Sequence, residues 1–154
     1  MTVNPIPDGM KGALPYLFVD DGPAAMAWYC KNLGATEAFR MSGPGGEGLM
    51  HGEIQLGGQS VMLSQANSDW GTRAPNPTEP YTVKLMVYVA DVDSMIETCR
   101  TNGATVVQEP DDMFWGDRMG EIRDPFGHAW MVATHKEDVT EDNMRRRAKE
   151  IFGG

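Results

Sequence analysis

Leu17-Phe18-Val19-Asp20-Asp21 is the stretch on which the interpretation of this sequence depends, because Val87-Tyr88-Val89-Ala90-Asp91 repeats its pattern 70 positions later. Each apolar run ends on an aspartate. A helix-like segment follows and stops at a glycine turn, at Gly34 in the first copy and at Gly103 in the second. Matches that recur in the same order at a nearly constant offset indicate two copies of one module.

Two further matches extend the repeat. Gly52-Glu53-Ile54 returns as Gly120-Glu121-Ile122 after 68 positions, and residues 61–63 return as residues 130–132 after 69 positions. Apolar alternation is typical of strands, and the glycine pair at 57–58 is typical of a tight hairpin. Each copy therefore predicts one strand, one helix and three further strands, which is a βαβββ module.

The predicted fold class is α+β, with two tandem βαβββ modules that form a curled mixed sheet, followed by a C-terminal helix. The predicted organisation is one domain over residues 1–139, with module 1 at about 13–65, a linker at 66–82, module 2 at about 83–135 and a helix at 140–152. Thr140 is a suitable N-cap for that helix, since its hydroxyl can accept from the first turn.

The amino-acid composition and net charge exclude several classes of protein. The chain has 154 residues, 41% hydrophobic and 23% charged, which is normal for a globular protein. Its net charge of −9 repels phosphate groups, so we expect no nucleic-acid or anionic-membrane partner. No apolar run is long enough for a membrane span, no signal pattern begins the chain, and two cysteines do not make a disulfide framework. These features predict a cytoplasmic protein.

Several short motifs resemble a known superfamily. They are Val19-Asp20-Asp21, Trp28-Tyr29, Leu33-Gly34, residues 89–93 and above all Asp124-Pro125-Phe126-Gly127-His128. Over roughly residues 13–135 the chain is similar to the vicinal oxygen chelate superfamily of glyoxalases, bleomycin-resistance proteins and extradiol dioxygenases. Trp115-Gly116-Asp117-Arg118 and residues 133–139 resemble its PhnB-like branch. The resemblance implies a cup-shaped sheet with the ligand on its concave face, and often a homodimer.

The resemblance also implies positions for a metal site, in the first and last strand of each module. Those positions carry Leu14, Met62, Lys84 and Met131, and none of these side chains is a ligand for a hard divalent cation. We therefore predict no metal and no other cofactor. A displaced site made of His51, Glu53 and Glu121 is the alternative.

Strand alternation predicts which side chains line the cup. It places Ile54, Leu56, Val61 and Leu63 toward the helix. It places on the concave face His51, Glu53, Gln55, Ser60, Met62 and Ser64, and by the repeat Glu121, Arg123 and Met131. The predicted ligand-binding residues are Tyr16, Phe18, His51, Glu53, Met62, Trp70, Lys84, Tyr88, Trp115, Arg118, Glu121 and Met131.

His51 and Glu121 are the candidate catalytic residues. An imidazole titrates near neutral pH and can act as a general base, and two facing carboxylates at Glu53 and Glu121 can share a proton. The structural alternatives are a histidine that is merely hydrogen-bonded and glutamates that pair with Lys84 and Arg123.

Two loop tryptophans and one arginine complete the candidates. Trp70 and Trp115 lie in stretches punctuated by glycine and proline, where each can cover a ligand, plug the fold or contact a second copy. Arg118 can reach an anionic group at the mouth of the cup or pair with a nearby acid.

Three functions remain open. The first is a metal-independent protein that, like bleomycin-resistance proteins, binds a small aromatic or hydrophobic molecule; the methionine and aromatic lining of the predicted cup favours this function. The second is an isomerase or lyase that uses His51, a carboxylate or a displaced metal. The third is an interaction module whose cup is filled by its own side chains.

Overall fold

The computed structural model describes residues 3–153 and contains the two predicted βαβββ modules. The first comprises β1 (Tyr16–Val19), α1 (Gly22–Asn32), β2 (Thr36–Met41), β3 (His51–Leu56) and β4 (Gln59–Gln65). The second comprises β5 (Lys84–Tyr88), α2 (Val92–Thr101), β6 (Thr105–Asp112), β7 (Asp117–Arg123) and β8 (Ala129–His135). The C-terminal helix α3 spans Glu141–Phe152. The predicted α+β class and element order are confirmed.

The two aspartates that end the repeated motif begin the helices. Asp21 and Asp91 are the N-caps of α1 and α2, and their carboxylates accept from the backbone N–H groups of Ala24 and Ser94 at 3.0 Å. An N-cap carboxylate satisfies a donor that the first helical turn leaves unpaired. Helix α1 has 11 residues and α2 has 10, which accounts for the repeat offset falling from 70 before the helices to 69 after them.

Each module forms its own four-stranded sheet. The strand order is β1-β4-β3-β2 in the first sheet and β5-β8-β7-β6 in the second. The first strand of each module lies parallel to the last, and the remaining neighbours are antiparallel. The register pairs Glu53 with Met62 and Ile54 with Val61 across the first hairpin, as alternation predicts.

One face of each sheet is buried against its helix. In the first sheet Ile54, Leu56, Val61 and Leu63 are buried, as predicted. Gly52 and its counterpart Gly120 lie under the helices, where a Cβ would meet Met26 Sδ at 2.7 Å and Ile96 Cδ1 at 3.3 Å. The repeated glycine therefore lets each helix pack closely on its sheet.

The opposite face of the first sheet contains two small side chains that are buried. Ser60 and Ser64, which alternation places on the concave face, are only 2% and 5% exposed. The Gln55 amide lies over Ser60 and donates to its hydroxyl at 2.6 Å, and Ser64 neighbours Phe18 on β1. A small side chain on an open face is covered by its larger neighbours.

The chain divides into two compact units. One contains the residues up to Tyr81 together with Phe126–His128, and the other contains Thr82–Pro125 with the residues from Ala129 onward. Phe126 belongs to the first unit because its ring packs edge-on against Tyr29, with centroids 5.9 Å apart. In the second unit Trp130 is buried and donates to Asp124 at 2.8 Å. Within residues 3–153, no helix is both long and apolar enough to cross a membrane.

Candidate functional site

The open face of the first sheet carries a cluster of aromatic side chains. Tyr16 and Phe18 from β1 have ring centroids 5.4 Å apart, and the His51 ring lies 5.6 Å from Tyr16 and 6.1 Å from Phe39. Tyr16 on β1 is 42% exposed and Phe39 on β2 is 48% exposed. Met62 neighbours Tyr16 and Glu53 on the same face. The first unit thus presents a continuous aromatic surface with an imidazole in its middle.

His51 is held by hydrogen bonds at both ring nitrogens. Its Nδ1 lies 2.9 Å from the Tyr16 hydroxyl, and its Nε2 lies 3.2 Å from Oε1 of Glu53. A carboxylate can only accept, so with neutral His51 the Nε2 carries the proton and Nδ1 accepts from Tyr16. Both ring nitrogens of His51 are already hydrogen-bonded. His51 can therefore exchange a proton with a ligand through its partner, the exposed Tyr16 hydroxyl.

Glu121 occupies a different environment in the second unit. Its side chain is only 6% exposed, and Oε2 accepts from Nζ of Lys84 at 2.6 Å. Met131 lies opposite Glu121 across the β7–β8 pair, and Met86 lies beside Met131. The predicted residues Lys84, Glu121 and Met131 therefore lie together, and the ion pair is the arrangement expected of a structural carboxylate.

A second polar cluster gathers around Asp117, at the start of β7. The buried carboxylate of Asp117 accepts from the Tyr88 hydroxyl at 2.7 Å, from Nε1 of Trp115 at 3.0 Å and from Nδ1 of His135 at 2.8 Å. The other nitrogen of His135 lies 2.9 Å from Asp138. The cluster joins the ends of three strands and the segment that leads to α3.

Hydrogen bonding sets the charges in this cluster. Burial alone raises the pKa of Asp117, but the hydrogen bonds from His135, Tyr88 and Trp115 outweigh it and hold that pKa below its usual value. The hydrogen bond to Asp117, followed by the one to Asp138, raises the pKa of His135. The hydrogen bond to Asp117 also raises the pKa of Tyr88, so its phenol keeps its proton near neutral pH.

Two predicted ligand-binding residues lie apart from these groups. Trp70 sits in a short 3-10 turn and is 66% exposed. Arg118 pairs with Asp93 of α2 at 2.7 Å and with Asp112 at 3.3 Å, which is the pairing with nearby acids that the sequence left open. Arg118 directly follows Asp117 on β7, and successive side chains of a strand point to opposite faces. Arg118 therefore lies on the helix side of the second sheet, opposite to Asp117 and Glu121.

The four positions at which the resemblance implies metal ligands carry other side chains. Met62 and Met131 offer thioethers, Leu14 offers no donor, and the ammonium of Lys84 is paired with Glu121. Within residues 3–153, no group of three or more His, Cys, Asp or Glu residues is placed to hold a metal ion.

The sequence interpretation missed Phe39, Asp117 and His135. Phe39 lies opposite Glu53 beside a bulge in β2, and the shift of register there hides its face from a simple alternation count. His135 has the same strand parity as Met131, and Asp117 has the same parity as Glu121. Alternation carried to the ends of both strands is therefore the signal that places these two side chains on one face.

Comparison with known proteins gives a family match over most of the chain. The model of the Glyoxalase/Bleomycin resistance protein/Dioxygenase superfamily matches residues 12–132. The uncharacterized protein Mb0911c of Mycobacterium bovis is 36% identical over 136 residues, which cover 85% of this chain and 88% of that protein. The uncharacterized protein Rv0887c of Mycobacterium tuberculosis is equally similar over 78% of its length.

Solved structures agree on the fold. TioX from Micromonospora sp. ML1 is 26% identical with a TM-score of 0.62, over 84% of this chain and 100% of TioX. The fosfomycin resistance protein FosX from Listeria monocytogenes is 14% identical with a TM-score of 0.61, over 86% of this chain and 96% of FosX. At that identity FosX shows a shared fold alone.

Proposed function

This chain belongs to the Glyoxalase/Bleomycin resistance protein/Dioxygenase superfamily, and from that premise we propose that it binds a small aromatic or hydrophobic molecule on the open face of its first sheet. The observation that carries the proposal is the aromatic cluster of Tyr16, Phe18, Phe39 and His51, in which Tyr16 and Phe39 are exposed. Large apolar side chains that stay exposed next to one another mark an interaction site.

The chemistry of the cluster supports a flat, mainly apolar ligand. Aromatic rings prefer stacked or edge-on neighbours, and the exposed rings of Tyr16 and Phe39 offer such partners to a ligand ring. The thioether of Met62 adapts its shape to different apolar groups. The Tyr16 hydroxyl oxygen supplies one acceptor for a polar group of the ligand, because its proton is directed at His51.

A second candidate function rests on the hydrogen-bonded series Tyr16–His51–Glu53. In this alternative the protein is an isomerase or lyase whose exposed phenol takes a proton from the substrate while His51 accepts the phenol's own proton and Glu53 stabilises the resulting imidazolium. His51 then acts through Tyr16. A binding protein needs only the aromatic rings, whereas this enzyme also needs the hydrogen bonds through which the proton moves.

The test of binding uses N-phenyl-1-naphthylamine, a neutral aromatic dye whose fluorescence rises in apolar sites. Tyr16→Ala and Phe39→Ala should each weaken its binding roughly tenfold, the effect of losing about 1.4 kcal/mol. Val107→Ala is the matched control, because Val107 is an exposed apolar side chain on a strand of the second unit. Equal losses in all three variants, or no dye binding by the native protein, would contradict the proposal.

His51→Ala separates the two candidate functions. In a binding protein this variant keeps dye affinity within a few-fold of the native value, since Tyr16, Phe18 and Phe39 still offer their rings to the dye. In the enzyme it abolishes turnover of any substrate found by screening, and Tyr16→Phe does the same while it retains dye binding.

We further propose that the protein belongs to the PhnB-like branch and acts as a cytoplasmic homodimer. The PhnB-like assignment is supported by Trp115-Gly116-Asp117-Arg118, and the dimer by Ile151 and Phe152 of α3, which remain exposed. Light scattering coupled to gel filtration measures the mass directly, and a mass of 16.9 kDa would contradict the dimer.

A further inference from the structure

A cavity of about 390 Å³ opens in the second unit beside the Asp117 cluster. Its walls come from the end of β5, the start of β7, the end of β8 and the first turns of α3. The side chains that define its chemistry are Tyr88, Trp115, Asp117, His135, Asp138 and Met144. The volume falls within the range of about 300–1,000 Å³ that small-molecule sites occupy.

The wall of this cavity is negative whichever protonation state His135 adopts. Asp117 and Asp138 supply two carboxylates, and His135 supplies at most one positive charge. Among the described residues that line the cavity there is no lysine or arginine. An anionic ligand would meet repulsion that a single imidazolium does not offset, and a cation meets attraction in both states.

Two aromatic rings stand in the same wall and are fixed in place. The hydroxyl of Tyr88 and the indole N–H of Trp115 both donate to Oδ2 of Asp117, at 2.7 Å and 3.0 Å. Because one oxygen accepts both hydrogen bonds, the polar edges of the two side chains meet beside the carboxylate. Rings of Trp and Tyr attract cations through their negative faces.

A glycine turn between Trp115 and Asp117 fixes the backbone beside the cavity. Gly116 has a φ of +102°, and its carbonyl accepts from the backbone N–H groups of Lys136 and Glu137 at 2.9 Å. These bonds tie the segment after β8 to the turn that carries Trp115. The site is therefore preformed, which lowers the entropic cost of binding.

We propose that this cavity binds a small organic cation, a quaternary or tertiary ammonium with short alkyl substituents. The carboxylates supply charge complementarity, the rings of Tyr88 and Trp115 receive the alkylammonium face, and Met144 adds apolar contact. A bare divalent metal fits poorly, because it needs several oxygen ligands directed at one point and the available carboxylate Asp117 already accepts three hydrogen bonds.

The experiment compares two ligands of the same shape by isothermal titration calorimetry. Choline carries a trimethylammonium group, and 3,3-dimethylbutan-1-ol replaces its nitrogen with carbon and has no charge. Choline should bind at least tenfold more tightly than the neutral alcohol. Equal affinity for the two, or no heat from choline up to about 10 mM, would overturn the proposal, since charge recognition is its basis.

Variants locate the binding site. Trp115→Leu should weaken choline binding at least fivefold, whereas Trp70→Leu, an exposed tryptophan in the first unit, should leave it unchanged. Tyr88→Phe keeps the ring and should retain most of the affinity, and Tyr88→Leu should not. If Trp115→Leu is folded by circular dichroism and binds choline like the native protein, the proposal is wrong. The dye assay of the first unit does not enter this test, so either proposal can fail alone.

Discussion

Replacing Lys84 tests whether Glu121 is a structural carboxylate. The Glu121 side chain is 6% exposed and accepts from Nζ of Lys84 at 2.6 Å, so Lys84→Met leaves a buried carboxylate without its cation. The double variant Lys84→Met/Glu121→Leu removes both charges and keeps comparable apolar volume. We expect the single variant to be much less stable than the native protein and the double variant to recover most of the loss.

The expected size follows from the exposure of the two partners. Breaking a fully buried ion pair costs about 3–5 kcal/mol, because one charge stays uncompensated. Lys84 is 37% exposed, so water reaches its end of the pair and screens the interaction. Lys84→Met should therefore cost about 2 kcal/mol, which lowers the melting temperature by roughly 4–8 °C in a chain of this length. The double variant should lie within about 1 kcal/mol of the native protein.

Urea denaturation followed by circular dichroism measures these free energies of unfolding. The matched control is Arg40→Met, which breaks the more exposed pair of Arg40 and Glu37 on β2 and should cost under about 1 kcal/mol. The reasoning fails if Lys84→Met costs no more than this control. It also fails if the double variant is as unstable as the single one, because the loss would then come from packing and not from an unpaired charge.

Three further predictions concern single positions. Gly116→Ala should cost at least about 2 kcal/mol in urea denaturation, since φ is +102° and a Cβ would strike a backbone carbonyl; a native-like midpoint would contradict this. Burial raises the pKa of Cys99 to about 11, so at pH 8 a thiol reagent should modify Cys30 well before Cys99, and equal rates would be the contrary result. The raised pKa of His135 adds stability that is fully present below about pH 6.5 and is lost as pH rises through the raised value. The melting temperature of His135→Gln relative to the native protein, followed from about pH 5 to 9, should show the difference shrinking with pH, and a constant difference would refute it.

Much of the fold is readable from the sequence because its elements obey local rules. Asp21 and Asp91 cap the two helices, and a glycine turn follows the end of each helix. Alternation around residues 57–58 gives the register of the first hairpin. Ser60 and Ser64 are the exception, since parity predicts the face of a side chain and says nothing about the larger neighbours that cover it.

The candidate site is readable only in part. The grouping of Tyr16, Phe18 and His51 follows from parity within one sheet. The contact of Asp117 with His135 is a hydrogen bond between side chains 18 positions apart; alternation places both on one face, but it does not specify the hydrogen bond. Residues 126–128 group with the first unit through the packing of Phe126, which is likewise a contact between distant parts of the sequence.

The one-residue difference between α1 and α2 shows where this architecture tolerates insertions and deletions. One residue added at a helix end changes a single capping turn, whereas one residue added inside β3 or β7 turns every following side chain to the opposite face. The two modules differ in length at the helices and at the hairpin turns, and their paired strands keep the same alternation. Engineered insertions should therefore be placed after Asn32, after Thr101 or in the turn at 57–58. An insertion at these places leaves each strand side chain on its own face of the sheet.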